Sequence, residues 1–554
     1  MTKWWKDKVV YQIWPKSFYD GNGDGIGDLY GVIEKLDYLK ELGIDMIWLS
    51  PVYASPLVDQ GYDISDYKQI NPLFGDMQTM DKLLLEMKKR DMKLIMDLVV
   101  NHCSSEHIWF QKACEDPEGK YGKYFYIRKK AQGRPSNVRA YFGGSVWDEL
   151  PGQPDYLYYH SFHKEQPDLN WENEELRNEV YDMMNWWLAK GIAGFRVDAI
   201  INIKKRLPFR DYPVDREDGL SDIDHLVMDS DGIGEFLAEM KEQTLARYDA
   251  FSVGEVFGEK PEELAAFVGE NGYFSSQFDF GPELIGKHGL CHEYEEVTAE
   301  TYKEAVFASQ ERIKTIGYLS NIIENHDEMR GVSRYIPKED LSDTSKKALA
   351  TVYFFLRGIP FIYQGQEIGM ENCAFTSMDE IDDVSTINEY EAELAAGLSE
   401  EDALVAAVRY SRDNARTPMQ WSAEQYAGFS TGKPWIKVNP LYEKINVAAE
   451  QEDPASVYHY YKAMIALRKQ ERYHDALVDG IFEPYLPEET NLIAYYRRTE
   501  AQRLLVMVNY QKERRAVSLP GAVREVLLNN LSNVELTKQE IILDGYQSVV
   551  LELE

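Results

Sequence analysis

Short runs of apolar residues recur along the chain, separated by stretches in which apolar positions return with helical spacing, the pattern of repeated βα units around a parallel sheet. The runs are VVYQIW (9–14), MIWLSPVY (46–53), LIMDLVV (94–100), GFRVDAI (194–200), AFSVGEV (250–256), SSQFDF (275–280), LSNIIEN (319–325) and IPFIYQG (359–365). Eight such units predict an α/β fold, a (β/α)8 barrel whose active site occupies the C-terminal strand ends and the loops after them. The interval between the third and fourth runs is too long for one helix. It predicts a subdomain inserted over 103–170, between barrel segments 1–102 and 171–478, with a polar excursion over about 371–420 after the eighth run. From 479 to 554 the pattern changes to alternating strands, NLIAYYRRTE, RLLVMVNYQ and SVVLELE, with a turn signal at Asp544-Gly545, and this predicts a C-terminal antiparallel β-sandwich.

Charge narrows the partners. Sixty Lys and Arg against 94 Asp and Glu leave a formal net charge of -34 over 554 residues, which argues against nucleic acid and anionic membrane surfaces. Cys103, Cys114, Cys291 and Cys373 form no CxxC arrangement, so neither a disulfide framework nor a zinc site is expected. The first twenty residues lack a signal-peptide core, and the apolar run TVYFFLRGIPFIY is interrupted by Arg357, so the expectation is a cytoplasmic protein with no membrane partner.

GFRVDAI carries two charges in an otherwise apolar strand. Alternation puts Arg196 and Asp198 on one face, where a structural ion pair and a catalytic site are equally good explanations. Other strand ends add acids: Asp97 with His102 at the third, Glu255 at the fifth, and His326 with Asp327 after the seventh. Acids at the same end of several barrel strands point to chemistry at one mouth. Two carboxyl groups across a cleft suffice for glycoside hydrolysis without a catalytic metal. Strand position leaves open which of the three acids does what.

DLVVNH (97–102), GFRVDAI, VGEV (253–256) and ENHD (324–327) resemble, in order and spacing, the signature regions of glycoside hydrolase family 13, the α-amylase family. QPDLN (166–170), SRDNARTPMQW (411–421) and DQGYDISDY (59–67) are similar to its oligo-1,6-glucosidase branch. The resemblance implies Asp198 as nucleophile, kept ionised by Arg196, Glu255 as general acid and base with a raised pKa, and Asp327 as the carboxylate holding the sugar's secondary hydroxyls. It implies His102 and His326 as donors to the sugar and Tyr62 beneath the ring. Asp59 and Arg412 would close a blind pocket suited to exo-action, Arg416 would be mainly structural, and Phe142, Phe162 and Gln166 would line the entrance. The loop Asp20-Gly-Asn22-Gly-Asp24-Gly-Ile26-Gly-Asp28 places oxygen ligands at alternate positions. A chain of Asx turns explains that spacing without an ion. The resemblance favours a structural calcium or magnesium.

The implied activity is a retaining exo-α-glucosidase that releases glucose from short oligosaccharides such as maltose and malto-oligosaccharides, with isomaltose or sucrose also open. Ala199 stands where members of the 1,6 branch commonly carry Val, and this leans the reading toward α-1,4 bonds, while Val256 and Phe257 depart from the branch at the second-sugar position. An oligo-1,6-glucosidase or dextran glucosidase is the alternative. HDEMRGVSRYIP lacks the arginine-rich loop of sucrose isomerases, and no lysine cluster suits the phosphate of trehalose-6-phosphate. A non-enzymatic transporter heavy chain would carry a membrane helix and lose catalytic acids; this sequence shows no such helix and keeps all three acids.

Overall fold

The computed structural model describes residues 3–554 apart from 217, 259 and 261. Eight parallel strands close a barrel: β1 Val10–Ile13, β2 Met46–Leu49, β3 Lys93–Leu98, β4 Gly194–Val197, β5 Phe251–Gly254, β6 Ser276–Phe278, β7 Leu319–Asn321 and β8 Gly358–Tyr363, each beside its neighbours in sequence. Each strand begins within one residue of a predicted apolar run and stops one to four residues before that run ends. The apolar character continues into residues that leave the ladder and turn over the strand ends, so the candidate acids stand at or just past the ladder. β1, β2, β4 and β5 are buried at every position, which is why they read as continuous apolar runs. β4 opens on Gly194, at φ +153°, where a Cβ would sit 1.7 Å from the Phe251 carbonyl oxygen; glycine lets β4 and β5 pair this closely.

The described chain falls into two compact units, Met1–Ile47 with Lys89–Met92 and Phe278–Glu554, and Trp48–Lys88 with Lys93–Gln277. The second unit contains the segment inserted after β3. There a three-stranded antiparallel sheet, Ile127–Lys129, Gln153–Tyr159 and Trp147–Leu150, packs Tyr126, Trp147 and Tyr159 into a small core.

In the first unit, helix α1 (Leu36–Leu42) brings Tyr38 beside Tyr11 of β1, and both hydroxyls donate to Glu367 Oε1, at 2.7 and 2.8 Å. Glu367 is fully buried, and burial pushes its carboxyl up to about 7 against the pull of the two hydroxyls. Helix α2 (Asp343–Phe354) is buried along most of its length. The polar stretch after β8 is not all loop: it holds α3 (Val384–Ala395), capped by Asp383 and ended by the left-handed Gly397, and α4 (Glu400–Arg409). The C-terminal strands form a five-stranded antiparallel sheet, in the order Ile481–Pro484, Leu492–Arg498, Arg503–Asn509, Ser548–Leu553 and Val523–Asn529, and a three-stranded sheet, with Leu505, Met507, Val517, Ile541 and Leu551 in the core they share. Among the described residues no helix is long and apolar enough to cross a membrane.

Candidate active site

β3, β4 and β5 are neighbours in register, with Asp97 opposite Arg196 and Arg196 opposite Val253, so Asp97 and Arg196 emerge side by side. Arg196, 1% exposed, is ringed by three carboxylates. Its Nη1 lies 2.8 Å from Asp97 Oδ1 and 2.5 Å from Asp198 Oδ1, and its Nη2 donates to Glu255 Oε1 at 2.8 Å. Glu255 also accepts the Ala199 N–H at 2.7 Å, which ties it to the residue after Asp198. Asp97 is fixed from its other side by Trp48 Nε1 at 3.1 Å and the Tyr62 hydroxyl at 3.0 Å, and the guanidinium lies over both rings.

Against burial, the largest influence, the Arg196 guanidinium favours the ionised form of Asp198. Burial raises the Asp198 carboxyl, Arg196 draws it down, and Glu255 and Asp97 raise it again; the net direction is well above the ordinary carboxylate range. One guanidinium serves three acids, its charge shared among Asp97, Asp198 and Glu255.

The other predicted groups of this unit adjoin one another. Gln166 Nε2 is 3.1 Å from Asp59 Oδ2 and 3.2 Å from His102 Nε2, and the latter nitrogen also lies 3.2 Å from the Tyr62 carbonyl. Burial lowers the His102 pKa and favours the neutral ring. Phe162 packs on His102 at 5.0 Å between ring centres, and Phe142 meets Phe162 edge-on at 5.8 Å. Ala199 leaves β4 in the left-handed region, at φ 41°. Phe257, three residues past β5, is 41% exposed.

In the first unit, Asp327 follows β7 amid cations. His326 accepts the Gln12 amide on Nδ1 at 2.8 Å, which leaves Nε2–H to donate to Asp327 Oδ2 at 2.9 Å, and Trp14 stacks on the ring. Arg412 Nη1 and Arg416 Nη2 reach Asp327 Oδ1 at 3.1 and 3.0 Å. Burial works to raise the Asp327 carboxyl, but His326, Arg412 and Arg416 hold it well below the usual range. Arg416, expected to be mainly structural, thus touches Asp327 directly. Asp383 is a site residue that sequence reasoning missed: buried and bonded to Arg412, it lies in an acidic stretch, MDEIDD, where nothing separates it from its exposed neighbours.

The loop from Asp20 to Asp28 is a succession of side chain to backbone turns. Asp20 Oδ1 accepts from Asn22 N and Gly23 N, Asn22 from Asp24 N, Asp24 from Ile26 N, and Asp28 Oδ1 from Gly21 N and Gly31 N. The turn-only explanation therefore accounts for much of the spacing. Asp28 Oδ2, however, is buried and accepts no hydrogen bond, and carboxylate oxygens of this kind fit a hard cation.

The model of the α-amylase catalytic domain matches residues 12–480, and that of the SusG-type α-amylase C-terminal domain matches 492–550. "Probable oligo-1,6-glucosidase 3" of Bacillus subtilis (strain 168) is 45% identical over 91% of this chain and 90% of that protein. The oligo-1,6-glucosidase of Bacillus cereus is 42% identical over the whole of both chains. Among solved structures, isomaltulose synthase from Klebsiella sp. LX3 superposes with a TM-score of 0.93 at 35% identity, covering 100% of this chain and 99% of that one.

Proposed function

Since the chain belongs to the α-amylase family of glycoside hydrolases, we propose that it is a retaining α-glucosidase that removes single glucose units from the non-reducing end of short α-glucosides. The observation that carries the mechanism is the single guanidinium of Arg196 bonded to both Asp198 and Glu255. A retaining enzyme needs its two carboxyl groups about 5 to 5.5 Å apart, one to attack and one to pass a proton. In the first step the Asp198 carboxylate attacks the anomeric carbon, the glycosidic bond breaks, and Glu255 gives its proton to the departing oxygen. In the second, Glu255 takes a proton from water, whose oxygen attacks the same carbon and releases Asp198. Glu255 must carry a proton, and Asp198 must be ionised, when bond cleavage begins.

In this reading Asp327, held as a carboxylate by its cationic neighbours, accepts the secondary hydroxyls of the glucose, and Arg412 and Asp59 bind its non-reducing end. Tyr62, His102, His326 and Gln166 complete the sugar contacts, and Phe142, Phe162 and Phe257 face the aglycone. For linkage, Ala199 supports α-1,4 bonds, whereas the relatives named as oligo-1,6-glucosidases support α-1,6 bonds. Initial rates on maltose, isomaltose, sucrose and trehalose-6-phosphate decide between them and also test the isomerase and phosphate-sugar alternatives. Proton NMR of the first product tests the mechanism: α-glucose supports retention, and β-glucose from an α-glucoside overturns it.

Asp20, Asn22, Asp24, the Ile26 carbonyl and Asp28 are proposed to hold one calcium or magnesium ion. Such an ion supplies positive charge to a loop dense in carboxylates and stabilises the fold, with no part in bond cleavage. A cytoplasmic location fits the net charge and free thiols of the chain.

A further inference from the structure

Arg412 is held from behind. Asp383 Oδ1 accepts its Nε at 2.9 Å and its Nη2 at 2.5 Å, and the remaining Nη1 lies 3.1 Å from Asp327 Oδ1. A guanidinium is planar and rigid, so fixing the edge formed by Nε and Nη2 fixes where Nη1 points. Asp383 in turn has almost no freedom. As the N-cap of α3 it accepts Ser385 N at 3.2 Å and Thr386 N at 3.1 Å, and its own N–H donates to Asp413 Oδ2 at 3.0 Å. The Thr386 hydroxyl stands between Asp383 Oδ2, at 2.6 Å, and Ser411 Oγ, at 2.9 Å, which ties the cap to the residue preceding Arg412. Arg416 Nη1 is 3.7 Å from the same Asp383 oxygen, so one buried carboxylate is counter-ion to both arginines that reach Asp327.

We infer that Asp383 is the positioning residue of the terminal-glucose subsite: it aims Arg412 at Asp327 and at the sugar hydroxyls the two bind, and so sets affinity and end-group selectivity without touching substrate. Its side chain has no exposed surface, which confines it to that indirect role. The inference rests on the glucosidase reading of Asp327 and Arg412. It differs from a plain capping role, because a cap requires only an acceptor oxygen and aiming a guanidinium requires a charge.

Asp383→Asn separates the two roles, since asparagine caps helices as well as aspartate does. Hydrogen bonds to charged groups are the stronger ones, so the variant is expected to raise KM for maltose or isomaltose roughly 10- to 100-fold, with a smaller change in kcat. A site that hydrogen-bonds a hydroxyl rejects the deoxy analogue, so the unaltered enzyme should discriminate strongly against a 4-deoxy-α-glucoside, and Asp383→Asn should lose at least about tenfold of that discrimination. Adding Asp383→Asn to Arg412→Lys should cost little beyond Arg412→Lys alone, because the two act through one contact. Unchanged KM and unchanged deoxy discrimination, with only a lowered melting temperature, overturn the inference and leave Asp383 a helix cap. If the asparagine variant does not fold, Asp383→Ser, which also caps, is measured in the same way. Failure of the unaltered protein to cleave any α-glucoside overturns the glucosidase reading itself, a result distinct from an active enzyme whose variant behaves normally.

Discussion

At the scale of single residues, the division of labour between Asp198 and Glu255 predicts that Glu255→Gln depends on the leaving group. Loss of a general acid typically costs about 100- to 10,000-fold, so turnover of maltose should fall by that order, while formation of the glycosyl-enzyme from an activated aryl glucoside, whose phenolate needs no proton, should fall far less. Burst kinetics on the aryl glucoside measure this; equal losses on both substrates would remove Glu255 from the acid role. Ala199 carries a second prediction. Its backbone is left-handed, at φ 41°, where β-branched residues are strained, so Ala199→Val should lower the melting temperature as well as crowd the second-sugar position. The ratio of isomaltose to maltose turnover is insensitive to the stability loss, and a change of this size in a pocket is typically worth about 10- to 200-fold; the ratio should rise. A falling ratio moves the determinant to Phe257. The strained backbone was beyond the sequence, where Ala199 is one small residue in an apolar run. Arg196 and Asp198 were legible because charge in a buried strand is costly, whereas Asp383 was hidden among acids of which most are solvated.

At the scale of elements, strand cores were legible and strand ends were not. β2 stops at Leu49 although SPVY continues its apolar run, and β7 stops at Asn321 although IIEN continues. Apolar residues beyond the ladder are buried all the same, so burial, which the sequence reports, outlasts hydrogen-bonded pairing, which it does not. Ile127–Lys129 of the insertion is too short and polar to declare itself. Two predictions belong here. The loop from Asp20 to Asp28, if it holds a cation, should lose stability on chelation. Binding at a hundredfold excess over Kd is worth about 2.7 kcal/mol, and calorimetry with and without chelator reads the difference; an unchanged melting temperature favours turns alone. Glu367, between β8 and the tyrosines of β1 and α1, has a folded pKa raised from 4.5 to about 7 by burial. Its contribution is complete below 4.5 and is lost as pH rises through 7, because the unfolded chain gives up the proton first. Glu367→Gln should flatten the decline in melting temperature between pH 5 and 8 and be more stable at pH 8 by roughly 3 kcal/mol. Parallel curves for the two proteins would show that Glu367 does not govern that decline.

At the scale of the whole molecule, the alternation that announced the C-terminal strands says nothing of what they cover. Arg497 from Leu492–Arg498 donates to the carbonyls of Phe355, Val478 and Gly480, and the Tyr495 hydroxyl donates to Val352 at the end of α2. These partners are backbone groups, to which the sequence assigns no character. A chain ending at residue 478 would leave the Val352 and Phe355 carbonyls and the apolar C-terminal half of α2 uncovered, so it should fail to give a soluble protein or should melt many degrees below the full chain; a truncated form with unchanged melting temperature and activity would show that the strands are dispensable. The same contact has a consequence for biosynthesis. A ribosome delivers α2 well before it delivers the strands that shield it, so a growing chain carries the apolar C-terminal half of α2 uncovered for part of its time on the ribosome. Nascent-chain chaperones should associate most strongly in that interval, and messages interrupted within it should yield products that the cell degrades.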